Sequence, residues 1–313
     1  MTSLMNAIRY HDCGGPEVLT LEQIPRPQPK DDEILVRVHA MGVNPVDWKL
    51  RDGVARLMKI PLPLIPGGDI SGVVEQVGAA VTTFKVGQPV FAFMGLLGAY
   101  CDYVAIKAQV AAPKPVSMDH QHAASIPLAA LTAWQGLIEH GGLKSGQKVL
   151  IHAAAGGVGG FAVQIARNAG AEVTATTSAA NNDYVRSLGA TRIIDSRQIP
   201  DEAPTANFDV ILDLVAGQGS EQLFGLLKSG GILTSASPGA SALAQQATAK
   251  GVRVKGIQVH ADGAQLAQIA AQADAGKFHS RIAAVFPFAQ AGAAQELSKS
   301  GHTQGKIVLH NIG

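Results

Sequence analysis

The stretch from Lys148 to Arg167 limits the fold of this chain more than any other part of it. An apolar, β-type run, Val149 to Ile151, leads through His152 into a segment of Ala, Gly and Val, Ala153 to Gly160. That segment opens an amphipathic helix with Val163, Ile165 and Ala166 on its inner face. Strand, small-residue turn and helix in this order read as a dinucleotide site. Small residues let the backbone approach a pyrophosphate, and the helix N-terminus offers unpaired N–H groups and the positive end of its dipole. The Gly-x-Gly-x-x-Gly spacing runs from Ala154 to Gly159, with Ala154 in the first glycine position. Ala155, Gly156, Gly157, Val158 and Gly159 are therefore the predicted pyrophosphate loop. Glycines alone also serve ordinary turns; the flanking strand and helix distinguish this loop.

Gly170 ends the helix, and Ala171 to Ser178 reads as the second strand. In NAD-preferring sites an acid at the end of this strand, about 20 residues on, holds the ribose 2′-hydroxyl. Here Ser178 stands 19 residues after Gly159, and Asp183 lies farther on, in the next predicted helix. With no acid to repel a 2′-phosphate, NADPH is the expected cofactor. Thr177, Ser178 and Asn182 are the candidate donors to that phosphate, with Arg186 one helical turn on. The plain alternative is that Thr176 to Ser178 only end a strand.

The 313 residues leave room for two domains, and an apolar content of 47% suffices for a core in each. A formal net charge of +1 without a basic cluster argues against nucleic acid as a partner. No apolar run approaches the roughly 20 residues that span a membrane. Residues 1–10 lack signal-peptide organisation, and Cys13 and Cys101 suggest no disulfide framework, so a cytoplasmic location is expected.

Residues 1–125 look β-rich. Period-two alternation over Glu33 to Ala40 marks a half-buried strand, and Asp69 to Gly78, Gln88 to Phe93 and Tyr100 to Ile106 mark three more. Pro25, Pro27 and Pro29 make a stiff connector. Strands at this spacing predict a compact, barrel-like domain. From about residue 126 helix and strand alternate, beginning with a helix from Leu128 to Glu139. Strands are expected near 149–152, 172–177, 192–195, 208–213, 231–235 and 253–258, which predicts a parallel, doubly wound sheet over 126–275. A helix from Gly263 to Ala275 would close it, and residues 276–313, with strands at Ile282 to Pro287 and Gly305 to Leu309, would return to the first domain.

Tyr10 to Leu19, Gly42 to Lys49, Ile65 to Val74, Leu131 to Trp134, the Ala-Gly loop and Gly305 to Leu309 together resemble the zinc-free quinone oxidoreductase branch of the medium-chain dehydrogenase/reductase superfamily. The match runs almost end to end. The resemblance implies an α/β protein with a GroES-like catalytic domain, a Rossmann domain and a cofactor cleft between them. Zinc-containing relatives place Cys where this chain has Asn44 and His where it has Gly68, and Asn and Gly cannot replace those ligands. No metal is expected. His120 and His122 begin a polar helix without a third ligand nearby.

The implied chemistry is hydride delivery from NADPH to a small quinone or α,β-unsaturated carbonyl. Asn44 is the first catalytic candidate, bonding the substrate carbonyl or the nicotinamide ribose; otherwise it is the turn residue before Pro45. Lys49 is the candidate proton donor, or else a solvated surface lysine. Several enoyl-reductase relatives carry a Tyr in this loop; here none occurs, and Trp48 nearby either walls a planar substrate or packs in the core. Thr132 is implied near the nicotinamide amide. Strand ends Asp213, Leu214 and Val215, and Ser235 to Pro238 with Ser235 and Ser237 as candidates, should line the cofactor. Lys306 is a candidate for the adenosine phosphate, Ser196 replaces an adenine-stacking Tyr of relatives, and His152 reads as packing.

A second copy of the chain, as a homodimer, completes the expected partners. Two alternatives stay open. An enoyl-thioester reductase would need basic residues for coenzyme A phosphates, for which Arg51, Arg56 and Lys59 are available; a non-catalytic nucleotide-binding or RNA-binding protein finds no support in the near-zero charge. The strand end makes one prediction. NADPH should bind more tightly than NADH, and Ser178→Asp should reverse or erase that preference in a binding titration. Equal wild-type affinities would defeat the inference from Ser178.

Overall fold

The computed structural model describes residues 3–197, 207–215, 220–237, 239–301 and 303–311. The chain divides into two units, Met1–Leu128 with His260–Gly313, and Ala129–Val259. Strands β1 (Leu4–Arg9), β2 (Thr20–Pro25), β3 (Glu33–Val43), β4 (Asp69–Val77), β5 (Pro89–Phe93), β6 (Tyr103–Lys107) and β7 (Ala111–Pro113) open the first unit. The second holds β8 (Lys148–His152), β9 (Glu172–Thr177), β10 (Arg192–Asp195), β11 (Phe208–Asp213), β12 (Leu227–Ser235) and β13 (Arg253–Gly256); β14 (Ile282–Pro287) and β15 (Lys306–His310) rejoin the first.

In the first unit β3 is the central strand, pairing antiparallel with β4, β6 and β15. Ile34, Val36 and Val38 enter the core by simple alternation, as expected for a strand. A register shift against β4 between Val38 and Ala40 then changes the phase, so that Met41 and Val43 face the same core. Gly42 falls on the other side, opposite Asp69. A side chain at Gly42 would bring its Cβ within 2.5 Å of the Ala124 carbonyl oxygen and 3.0 Å of Asp69 Cβ. Glycine is what lets the acidic residue lie there.

The second unit is a six-stranded, all-parallel sheet in the order β10-β9-β8-β11-β12-β13. This is the doubly wound order, with its switch point between β8 and β11. Val149 to Ile151 and Val210 to Leu212 are fully buried, as parallel strands covered on both faces require.

Several boundaries differ from the sequence expectation. The helix Gly263–Asp274 belongs to the first unit, so the return begins at His260 and not at 276. Its first residue packs on β7 so closely that a Cβ at Gly263 would lie 2.3 Å from the Ala111 oxygen. The expected helix Leu128 to Glu139 is a regular helix only over Pro127–Trp134 and continues as a π-helical segment, Gln135–His140. Gly136 there lies against Leu212 and Ile257, which a Cβ would meet within 2.8 Å. Strand β6 starts at Tyr103, because Tyr100 and Cys101 bend away to meet Ile8 and Ala7. No helix among the described residues is long and apolar enough to cross a membrane.

The turn after β8 shows two glycines with opposite duties. At Gly159 a Cβ would lie 2.3 Å from the Ala153 oxygen and 2.7 Å from Ala154 Cα, so the helix can start there only without a side chain. At Gly156 a Cβ would meet nothing closer than the Ala153 oxygen at 3.6 Å. Gly159→Ala should therefore destabilise the protein by about 1–3 kcal/mol in denaturant unfolding. Gly156→Val should leave stability within about 0.5 kcal/mol of wild type and weaken dinucleotide binding by about tenfold or more, about 1.4 kcal/mol. A Gly156→Val protein that binds NADPH normally would move the pyrophosphate elsewhere.

Candidate active site

In the second unit, the C-terminal ends of the parallel strands gather His152, Thr177, Asp213, Ser235 and Gly256. That is the end at which doubly wound sheets bind dinucleotides. The turn after β8 is tied to β9, with Ala153 N–H donating to Thr176 Oγ1 at 3.1 Å and Ala154 N–H to the Thr176 oxygen at 3.0 Å. Ala153 holds φ +67°, a left-handed conformation that costs a non-glycine residue energy and marks a constrained turn. Ala155, Gly156, Gly157 and Val158 are partly open, while Gly159 is buried.

At the end of β9, Thr177 is buried and Ser178 exposed, its Oγ accepting from Asn181 Nδ2 at 3.2 Å. Asn182 begins the next helix, Asn182–Leu188, and is half-buried. Pairing of β10 sets Asp195 beside Thr177, and the Ser196 N–H donates to the Thr177 oxygen. Arg197 is thereby brought to this strand end, paired to Asp195 at 2.8 Å. The sequence reading passed over this guanidinium, since only strand pairing reveals it.

Asp213 is the polar centre of the sheet's far half. It is almost wholly buried and accepts from Ser220 Oγ (2.5 Å), Ser235 Oγ (3.3 Å) and the Val215 N–H (3.1 Å). Burial works against its charge, yet contacts with His152, Ser220 and the Val215 N–H outweigh it and hold the carboxyl below its ordinary range. His152 Nδ1 lies 3.4 Å from Asp213 Oδ1 across the switch point. His152 was read as packing; it instead joins the polar cluster. Ser235 is an internal brace, since its hydroxyl donates to Asp213 and accepts from the Ser237 N–H. Ser237 and Ala236 line a cavity of about 520 Å³ with Lys255 and Gly256. Leu214 and Val215 are partly open and exposed, respectively, Thr132 is buried in Pro127–Trp134, and Pro238 lies outside the described residues.

In the first unit a buried charge network surrounds Asn44. Asn44 follows β3 and caps the short helix Pro45–Lys49, where Pro45 suits the first helical position. The Asn44 N–H donates to Asp47 Oδ2 at 2.9 Å, and the Asp47 N–H to the Asn44 oxygen at 3.0 Å. Asn44 Nδ2 donates to Asp69 Oδ2 at 2.9 Å, and Asn44 Oδ1 accepts from Lys306 Nζ. Lys306 also donates to the Val43 oxygen, Leu128 N–H to Asp69 Oδ1, and Tyr100 Oη to Asp47 Oδ2. Burial pushes Asp47 up to about 7, opposed by the Asn44 N–H and Tyr100, and pushes Asp69 up to about 6, opposed by Lys306 and Asn44. Burial lowers Lys306, with both carboxylates acting against it. Each charge-assisted hydrogen bond of this kind contributes about 1.5–3 kcal/mol.

One sequence expectation changes here. Lys306 was assigned to an adenosine phosphate; it is buried in the first unit and holds Asn44 and Val43 instead. Among the described residues no hydrogen bond or ion pair joins Lys49 to Asn44; its Nζ lies 5.5 Å from the Trp48 ring centroid, with Lys299 Nζ at 5.7 Å. Asp47, Asp69 and Tyr100 were overlooked, although the first two sit inside the motifs that carry the resemblance. Their signal was an acid within an apolar stretch.

The residues do not fit zinc. A Cβ at Gly68 would lie 1.8 Å from the Gly95 oxygen, leaving no room for an imidazole. Among the described residues no group of three or more His, Cys, Asp or Glu is placed to hold a metal ion.

Comparison with known proteins agrees with this architecture. Residues 30–116 match the family model described as an alcohol dehydrogenase GroES-like domain, and residues 188–309 one described as a zinc-binding dehydrogenase. The chain is 35% identical to a quinone oxidoreductase of Sus scrofa, covering 98% of each chain. It is 32% identical to an NADPH-dependent alkenal/one oxidoreductase of Arabidopsis thaliana, covering 98% of this chain and 80% of the relative. The quinone oxidoreductase structure from Coxiella burnetii superposes with a TM-score of 0.89 at 31% identity, over 98% of this chain and 99% of that one. The Escherichia coli quinone oxidoreductase complexed with NADPH gives 0.85 at 27%, over 97% and 99%. By these matches the chain belongs to the quinone oxidoreductase branch of the medium-chain dehydrogenase/reductase superfamily, a family of oxidoreductases.

Proposed function

We propose that this protein reduces quinones or α,β-unsaturated carbonyls with NADPH and without zinc. The observation that carries the reading is Asn44: a carboxamide, held by an ammonium and a carboxylate, occupies the place of a zinc thiolate in zinc-containing relatives. A hydrogen-bonding amide suits a carbonyl acceptor and offers no Lewis acid for alcohol oxidation. Relatives named for quinone and for alkenal/one reduction support the same substrate classes.

When bound, NADPH supplies the hydride. The open backbone of Ala155 to Val158 would hold the pyrophosphate. Thr177, Ser178 and Asn182 would donate to the 2′-phosphate, with the Arg197–Asp195 pair beside them. Leu214, Val215, Ser237 and Thr132 would bound the nicotinamide end. Asn44 hydrogen-bonds the acceptor carbonyl, and Lys49 supplies the proton that an enone requires after hydride transfer. A quinone yields an aromatic hydroquinone anion, which solvent protonates.

The enoyl-thioester alternative loses one of its three basic residues. Arg51 is fully buried, bonded to Gly14, Asp52, Gln295 and Glu296, and Arg56 is paired to Asp12. Arg51 is therefore not free for a coenzyme A phosphate, while Arg56 and Lys59 remain exposed.

The decisive experiment compares kcat/KM for one quinone and one enone. Lys49→Ala should lower enone turnover about 10²-fold or more and quinone turnover far less, whereas Asn44→Ala should impair both. Equal losses with Lys49→Ala would leave Lys49 a binding or surface residue. Absence of NADPH-dependent turnover with every quinone and enone would reject the function.

A further inference from the structure

We propose that Lys306 and Asp69 are positioning residues that lock the Asn44 carboxamide so that it offers an acceptor carbonyl a polarised N–H donor and not its own oxygen. The inference rests on the reduction proposed above and assigns that site its electrophile.

An Asn side chain carries two N–H donors and one carbonyl oxygen, and either end can face a ligand. Here the two ends are bound by opposite charges. Nδ2 donates to Asp69 Oδ2 at 2.9 Å, while Oδ1 accepts from the Lys306 ammonium. Turning the amide over would set N–H groups against an ammonium and a carbonyl against a carboxylate. The charges are themselves anchored, Asp69 by the Leu128 N–H at 2.8 Å and Lys306 by the Val43 oxygen at 3.3 Å. Asp69 and Lys306 are both buried, which strengthens their contacts with the amide.

One Nδ2 hydrogen then remains without an acceptor among the described residues. The ammonium on Oδ1 draws electron density from the amide nitrogen and strengthens this remaining donor; the same pull weakens Oδ1 as an acceptor. Hydrogen bonds in series polarise one another in this way inside a protein. The chemistry needs such a donor. With the hydride that NADPH supplies when bound added at the enone β-carbon, the negative charge would collect on the carbonyl oxygen. The Asn44 N–H would meet that charge, and the α-carbon would take its proton from Lys49, the donor proposed above. A donor aimed at charge that develops in the transition state accelerates the step. A quinone, more electron-poor, depends on it less.

The test uses full-length protein labelled with 15N at asparagine, with the Asn44 side-chain resonance identified by its loss in Asn44→Ala. In wild type that resonance should lie downfield of an ordinary carboxamide, and Lys306→Met should return it toward the ordinary position. Lys306→Met should also lower kcat for an enone about tenfold more than for a quinone, with the KM for NADPH changed less than about twofold. Should burying two unbalanced carboxylates prevent Lys306→Met from folding, Lys306→Met/Asp69→Asn removes both charges together and should show the same changes. An unmoved Asn44 resonance, or an unchanged enone-to-quinone ratio with a raised KM for NADPH, would overturn the inference and make Lys306 a cofactor ligand or a structural residue. A wild type that reduces neither substrate class would reject the proposed function, and the resonance would still judge the network.

Discussion

Two carboxylates and one ammonium shut away from water at the end of β3 are the constraint on which the first unit depends. Burying an unpaired ion costs several kcal/mol, and removing one partner of a buried pair leaves that cost exposed. Each of the three must therefore be reached by a donor or acceptor from another part of the chain. Asp69 takes the Leu128 N–H, Asp47 takes Tyr100, and Lys306 takes the Val43 oxygen and Asn44. The return of the C-terminal segment follows from the same need. Pairing of β15 with β3 sets Ile307 opposite Val43, and so delivers the neighbouring ammonium to the two acids.

The second unit solves a similar problem on a smaller scale. Asp213 stays ionised in a buried position because two serines and a backbone N–H converge on it, with His152 alongside. Apart from Ser220, these groups come from the ends of β8, β11 and β12, so the carboxylate ties together the strand ends that flank the switch point. The turn after β8 adds a steric condition. Gly159 admits the helix close to the strand, and Ala153 accepts a left-handed backbone to make the corner. Rigid strand ends and an open loop are what a phosphate-bearing ligand needs for binding without reorganisation.

The two units differ in how plainly the sequence announced them. In the second, the strand from Glu172 to Thr177 and that from Phe208 to Asp213 lie where apolar runs and glycine stops put them. The helix after Gly263 was placed in the wrong unit, because its amphipathic pattern says that it packs but not on what. Its partner, β7, lies about 150 residues earlier in the chain. Asn44 emerged from the resemblance, but its role in the network did not. The residues that hold it stand 25 and 262 positions away. Lys306 looked like a phosphate ligand because a lysine in a terminal motif gives no sign of being buried.

The sequence by itself determined the local chemistry: the strand, small-residue turn and helix from Lys148 to Asn168, the serine at the end of β9, and an asparagine and a glycine at positions 44 and 68. Each of these depends on side-chain size or type at neighbouring positions, where steric limits act over a few residues. The tertiary structure alone decided which charges are buried together, that Arg197 reaches the end of β9, and that Asp69 and Lys306 hold the two ends of the Asn44 amide. Charge burial and amide orientation are set by contacts between residues far apart in the chain, and pairing across β4, β3 and β15 is what creates those contacts.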